Sequence, residues 1–421
     1  MADKKKKSLP KKKKESDSES DSDSDSLSGG SSGDESEEET TAKDLVVTKY
    51  NMAADIAQSV LTDLLKKVVA DAFADELCDE GDRLLSERTA KQFKKEKNVK
   101  RGIAFPTCVS VNHVICHYSP LKSDEQRTRL REGDVVKVDL GAHIDGFIAA
   151  VAHTVVVGAS AEQPVTGAKA DVIQAAHSAL EAAVRQLRPG KANMEITDVI
   201  QKFADVYSVK PVENMLSHQL KKNKIDGEKQ IIQNPGEKER QDLDKCKVEA
   251  HDVYAVDVLM STGEGKAREG DHRTTVYKKA DELVYQLKMK TSRLFLSEST
   301  NKFGSMPFTL RSFDDEKKAK MGVVECEKHG LMKPYQVLME REGEWVAQFK
   351  ATVLVMPNGL FKITGLPLDT AVYKSDKKVE DAALVQMLTM ALKPKKKKPK
   401  PKKPAAAPAV GAAAVNGGGD P

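Results

Sequence analysis

The sequence predicts a mixed α/β (α+β) fold made of two similar halves, and three observations carry that prediction. Apolar residues recur at three- to four-residue spacing in several stretches, the period of a helix with one buried face. Other stretches are short runs rich in Val and Ile, bounded by turn residues, as strands are. The order helix, helix, strand, strand then occurs twice along the chain.

The first helix carries the stripe Ile56, Val60, Leu61, Leu64, Leu65 and Val68. The LTDLL within it reads as part of that core stripe and not as a docking motif. A second, basic helix is expected around Ser86–Lys100. Strands follow at Cys108–Val111, Val135–Leu140 and Phe147–Val157, the last two joined across His143–Gly146 by the Asp-Gly pair that favours a tight hairpin. Helices at Ala168–Gln186 and Met194–Tyr207 open the second half. Strands at Gln230–Gln233, Val253–Met260 and Thr274–Tyr277 continue it. Residues 281–335, charged and helical, read as an insertion. Strands at Val337–Glu340 and Val346–Val355 close a domain that spans 44–392.

Charge is segregated at the two ends. Of 421 residues, 39% are hydrophobic and 31% charged, with a net charge of only +4. Residues 1–43 hold lysine runs and then alternating Ser and Asp/Glu, which bury too little to offset ordering entropy and are expected to be disordered. Their serines have the acidic surroundings of kinase sites. Residues 393–421 begin KPKKKKPKPKK, where proline keeps lysines extended and solvated, and should be disordered as well. Five cysteines without paired spacing read as reduced thiols, not as a disulfide framework or a zinc site. No signal peptide and no membrane-spanning segment is expected.

Four stretches carry the chemistry. They are GIAFPT with VICHYSP (102–107 and 114–120), VVKVDLGAHIDGFIAAVAHTVVV (135–157), NMLSHQL (214–220), and YAVDVLMSTGEGK with VAQFKATVLV (254–266 and 346–355). In order and at these separations they resemble the active-site segments of type 2 methionine aminopeptidases. That resemblance implies the two-half pita-bread fold, and in active members two divalent metals held by Asp, Asp, His, Glu and Glu. The first two ligands lie eleven residues apart, around a hairpin that turns both toward one face.

Carried onto this chain, the first Asp is Asp139, but the second position holds Ala150. The His is His218. The first Glu position holds Asp257 and the last holds Lys350. A substrate-side imidazole matches His117, and a second such position holds Asp226. An alanine has no donor atom. An ammonium 4 Å from a divalent ion is repelled by on the order of 8 kcal/mol at an effective dielectric of 20. No metal, no cofactor and no catalysis are therefore expected. Residual single-metal activity through Asp139, His218 and Asp257 is the competing reading, and a protein scaffold using the vacated pocket is a third.

The lost ligands, SHQLKKNKIDGEKQIIQNP (217–235) and the lysine-rich C-terminal segment are similar to the proliferation-associated, ErbB-receptor-binding family. This resemblance implies an inactive relative of the aminopeptidases, monomeric, in cytoplasm, nucleus and nucleolus. It also implies association with ribosomes and structured RNA, a part in ribosomal RNA processing and translational control, and nuclear or signalling proteins as further partners. Candidate RNA contacts are Lys94, Lys95, Lys100 and Arg101, with Lys393, Lys395, Lys396, Lys397, Lys398, Lys400, Lys402 and Lys403 in the tail. Lysines bind phosphates without reading sequence. With only 5% aromatic residues and none interleaved with these bases, duplex recognition fits better than base stacking. Lys317–Lys320 reads as a solvated surface.

Overall fold

Alternation along four strands decides the architecture. In the computed structural model, which describes residues 39–280 and 283–393, the chain forms one large sheet with helices on a single face. Helices α1 (Asp44–Leu65) and α2 (Ala74–Ala90) precede strands β1 (Arg101–Val111), β2 (Val114–Cys116), β3 (Val135–Ile144) and β4 (Phe147–Val156). Then come α3 (Gly167–Gln186), α4 (Asn193–Tyr207), β5 (Lys210–Pro211), β6 (Met215–Gln219), β7 (Gln230–Gln233), α5 (Glu237–Asp242) and β8 (Val253–Ser261). The chain continues through β9 (Arg268–Glu269), β10 (Val276–Lys279), α6 (Lys290–Phe303), β11 (Phe308–Thr309), α7 (Glu316–Lys328), β12 (Met332–Tyr335) and β13 (Leu338–Met339). It closes with β14 (Val346–Met356), β15 (Gly359–Lys362) and α8 (Ala382–Thr389).

The main sheet runs β1-β3-β4-β14-β8-β6-β7, with β15 on β14 and β5 on β8. Val136, Val138 and Leu140 of β3 and Ala149 and Val151 of β4 pack under α1 and α2. Val256 and Val258 of β8 and Phe349 and Ala351 of β14 pack under α3 and α4. Because side chains alternate, the opposite face of all four strands belongs to the other parity. That parity includes every polar residue singled out above on these strands. The two predicted halves are present, one helix pair on each. The turn between β3 and β4 places Asp145 and Gly146 at φ of 54° and 81°, the left-handed pair an Asp-Gly hairpin requires.

Three differences from the sequence reading are instructive. The helix expected around Ser86–Lys100 is α2, which ends at Ala90. Residues 91–100 form a turn-rich loop with Phe93 at φ 44°, because a run of lysines with no apolar stripe gives a helix nothing to bury. The strand at 337–340 shrinks to Leu338–Met339, paired with β2 and β9 in a small sheet. The region expected to be a helical insertion also contains β11 and β12, paired to β10, so this unit begins at Val276. It has its own core of Phe295, Phe308, Phe313, Val323 and Met332. Residues 1–38 and 394–421, where most of both tails were predicted, lie outside the described residues.

One core residue is out of place. Lys137 on β3 is 1% exposed, and its ammonium donates to the Asn112 carbonyl, at 2.8 Å. Burial pushes it down to about 7. A depressed lysine destabilises below its ordinary value, so stability rises with pH between about 7 and 10.5. Lys137→Met is expected to stabilise the fold at pH 7 by about 1–4 kcal/mol, read by urea denaturation. Destabilisation would mean the amine is needed where it is.

Candidate functional site

The strand register lays four residues in one row. Asp139 of β3 is opposite Ala152 of β4, Ala152 is opposite Lys350 of β14, and Lys350 is opposite Asp257 of β8. Residues directly opposite share a face, so all four side chains leave the sheet away from the helices. His218 of β6 faces Ala255, two residues along from Asp257 on the same side. Ala150 is likewise two residues from Ala152. On either side of Ala150 this face of β4 carries Ile148 and Ala152, so shifting the alignment by two in either direction would not restore a carboxylate.

Lys350 occupies the centre. Its Nζ lies 2.6 Å from Asp139 Oδ2 and 3.0 Å from Asp257 Oδ2. Gln348, one pleat away on β14, donates its amide to both Asp257 oxygens at 3.0 and 3.1 Å and to Asp139 Oδ2 at 3.4 Å. Burial alone would depress the lysine, but the two carboxylates outweigh it and hold Lys350 above its ordinary range. Burial raises Asp257, and the Lys350 charge offsets part of the rise.

A cavity of about 250 Å3 opens over this row. Ala150, His218, Asp257 and Lys350 line it, as do His117 and Asp226. Asp139 lies behind Lys350. His117, at φ 64° just past β2, places its Nδ1 3.0 Å from the Gln336 carbonyl and packs against Tyr335 with ring centroids 5.3 Å apart. Burial holds it down at about 4. Asp226 is ion-paired with the buried Lys278.

These residues do not fit a pair of divalent ions. The ammonium already holds the carboxylate oxygen that a metal would need, and the second bridging position is a methyl group. Asp139 Oδ1 and His218 Nδ1 are buried without hydrogen-bond partners. They are remnants pointing to an ancestral ligand set, and two atoms do not hold two metals. Among the described residues no cluster of three or more His, Cys, Asp or Glu is arranged to bind a metal.

The sequence reading missed Gln348, Lys278, Tyr335 and Phe105. Gln348 carried a signal: two residues before Lys350 on a strand means the same face. Lys278 gave none, since only tertiary packing brings β10 to the loop after β6.

The candidate RNA contacts lie elsewhere. Lys94, Lys95 and Lys100 are exposed on the 91–100 loop and do not line the cavity. Arg101 is half-buried, and its Nη1 donates to the carbonyls of Phe93, Glu96 and Val99, so it holds the loop in shape. Lys393 places its ammonium 3.5 Å from the Phe361 ring centroid. The other seven tail lysines lie outside the described residues.

Residues 48–273 match the model of metallopeptidase family M24. The chain is 44% identical over 359 residues to proliferation-associated protein A of Dictyostelium discoideum, covering 85% of this chain and 92% of that protein. It is 45% identical over 372 residues to ERBB-3 binding protein 1 of Arabidopsis thaliana, covering 88% and 92%. The solved structure of a thermophilic Arx1 aligns with a TM-score of 0.78 at 33% identity, over 84% of this chain and 100% of that one.

Proposed function

Since the chain belongs to metallopeptidase family M24 and to its proliferation-associated, ERBB-3-binding branch, we propose that it acts by binding and not by hydrolysis. The observation that carries this is the Lys350 ion pair with Asp139 and Asp257, which stands where a hydrolytic metal centre needs ligands. Hydrolysis by this family's dimetal chemistry needs a metal-activated water, and this donor set gives none a place.

The partners in this reading are ribosomes and structured RNA, met in cytoplasm, nucleus and nucleolus, in the service of ribosomal RNA processing and translational control. Support comes from charge and from kinship. The ammonium groups of Lys94, Lys95 and Lys100 project from a loop that Arg101 braces, a folded cationic surface able to fix orientation on a phosphate backbone. The tail lysines add affinity without direction. Protein partners are the second reading, favoured by the receptor named in the ERBB-3 binding relative.

Reversing Lys94, Lys95 and Lys100 to glutamate is expected to abolish ribosome co-sedimentation with the melting temperature nearly unchanged. Co-sedimentation that survives would move the docking surface to another part of the fold. Deleting residues 393–403 is expected to weaken RNA binding and to flatten the plot of log affinity against log salt by several units, at about 0.9 for each phosphate the tail no longer neutralises. An unchanged slope would remove the tail from the interface.

A further inference from the structure

A second cavity, of about 530 Å3, opens where the unit built on α6 and α7 meets the main sheet. It falls within the ~300–1,000 Å3 of small-ligand pockets and shares no lining residue with the cavity over Lys350. Its walls come from the start of β1, the end of β3, the loop after β6 and the end of α6. The Ser305 hydroxyl donates to the Asn223 carbonyl at 2.6 Å, and the Asn223 backbone N–H donates to the Gly146 carbonyl at 2.9 Å, which ties these parts together. Lys100, Arg101 and Lys302 line the cavity and no carboxylate does. Among the described residues no carboxylate pairs with Lys100, nor with Arg101, whose Nη1 is held by backbone carbonyls. Lys302 pairs with Glu298 at 2.7 Å on the exposed side of α6, a surface contact weak enough to exchange. Asp145, the acid that acts on His143, is already held by Lys49 and Lys222. Neutral donors complete the lining. The Gly146 N–H donates to His143 Nδ1 at 3.3 Å and burial holds this imidazole down at about 4, so its proton sits on Nε2. The side-chain amides of Asn223 and Asn301 add further N–H groups.

We propose that this cavity binds a terminal phosphate monoester, as carried by the 5′-end of an RNA strand or by a free nucleotide. A monoester brings up to about two negative charges at pH 7 and three acceptor oxygens. Three cations and a set of neutral N–H donors match that charge and those acceptors. Guanidinium is the side chain best shaped for phosphate, and Arg101 supplies one. An internal phosphodiester has a single charge and needs a path in and a path out, whereas a pocket walled by sheet and helix suits a chain end. The C-terminal end of α6 carries partial negative charge that opposes an anion, and Lys302 in its last turn offsets it. Lys94 and Lys95 lie on the loop that leads to Lys100, so a strand whose end sits in the cavity can run along them. Only the choice of RNA as the source rests on the proposed function; the phosphate chemistry stands on the cavity itself.

Calorimetry on the full chain, freed of bound nucleic acid, tests this with two matched pairs of probes. One pair is adenosine 5′-monophosphate and adenosine. The other is a short single-stranded RNA with a 5′-phosphate and the same RNA with a 5′-hydroxyl. Within at least one pair the phosphate is expected to tighten binding about tenfold or more, and the pair that shows it identifies the source. Lys302→Glu and Asn301→Asp are each expected to erase that preference and Lys302→Arg to keep it, with the melting temperature nearly unchanged in all three. Equal binding within both pairs overturns the proposal, and RNA that binds whatever its end then leaves the proposed function standing. A preference that survives both acidic variants places the phosphate elsewhere and overturns it as well. If neither RNA binds while the nucleotide still outbinds adenosine, the cavity site stands and RNA as its source fails.

Discussion

Replacing Lys350 with alanine is expected to destabilise the fold by about 3–5 kcal/mol at pH 7. The lysine is 13% exposed and its two partners 5% and 15%, so little solvent remains to screen what it leaves behind. Without it, Asp139 and Asp257 face each other across β4 and β14 with only the Gln348 amide between them. One of the two would then take up a proton or the strands would part. Either course costs stability, and the first makes the variant's stability fall as pH rises. Urea midpoints measure the effect, and a loss below about 1 kcal/mol would mean the pair is not holding the sheet. Adding Asp139→Asn and Asp257→Asn to the variant should recover much of the loss, because the buried charges go with their partner. This control separates electrostatics from a simple packing defect.

Acid is expected to unfold the protein sharply. Seven histidines are held below their ordinary value, each chiefly by burial: His117, His143 and His177 at about 4, His153 at about 3, and His113, His218 and His272 in the same direction. The folded form resists protonation and the unfolded chain accepts it near 6.5. The stability linked to these groups is therefore complete above pH 6.5 and is lost as pH falls toward 4. Each contributes up to about 1.4 kcal/mol per pH unit in that window. The four with the largest shifts together contribute up to about 11 kcal/mol within two units, comparable with the 5–15 kcal/mol that a typical domain has. Raised Asp257 works in the opposite sense but is a single group. Thermal melting at half-unit steps between pH 7 and 4 should show a steep, accelerating fall, whereas a melting temperature flat to pH 4.5 would contradict the neutral buried imidazoles.

The fold was legible where one period ran unbroken. The β3–β4 hairpin alternates aliphatic and small residues across an Asp-Gly turn, and α3 and α4 carry full apolar stripes, so both were readable from spacing. The strand β6 was not, because Ser217, His218 and Gln219 are polar on both faces and hide its alternation: His218 looks into the cavity, while Ser217 bonds the Asp257 backbone and Gln219 the Asp252 carboxylate. The 91–100 loop misled for the converse reason, since charge density suggested a helix that has no apolar face. Of the site, Asp139, Ala150 and Lys350 were placed by the resemblance to the aminopeptidase segments, and spacing added only that two positions eleven apart around the hairpin share a face. Residues delivered by loops and by the small sheet, such as Lys278 and Tyr335, depend on tertiary packing that linear spacing does not encode.

The central claim is that an internal cation has taken the place of the metal centre, and manganese or cobalt calorimetry paired with a methionine-release assay tests it most directly. The unmodified protein should give no stoichiometric metal binding and release no methionine from a peptide that begins with it. A variant carrying Ala150→Asp, Asp257→Glu and Lys350→Glu should regain metal binding and so shows that the assay can detect it. Two metals bound by the unmodified chain, with methionine released, would contradict the account.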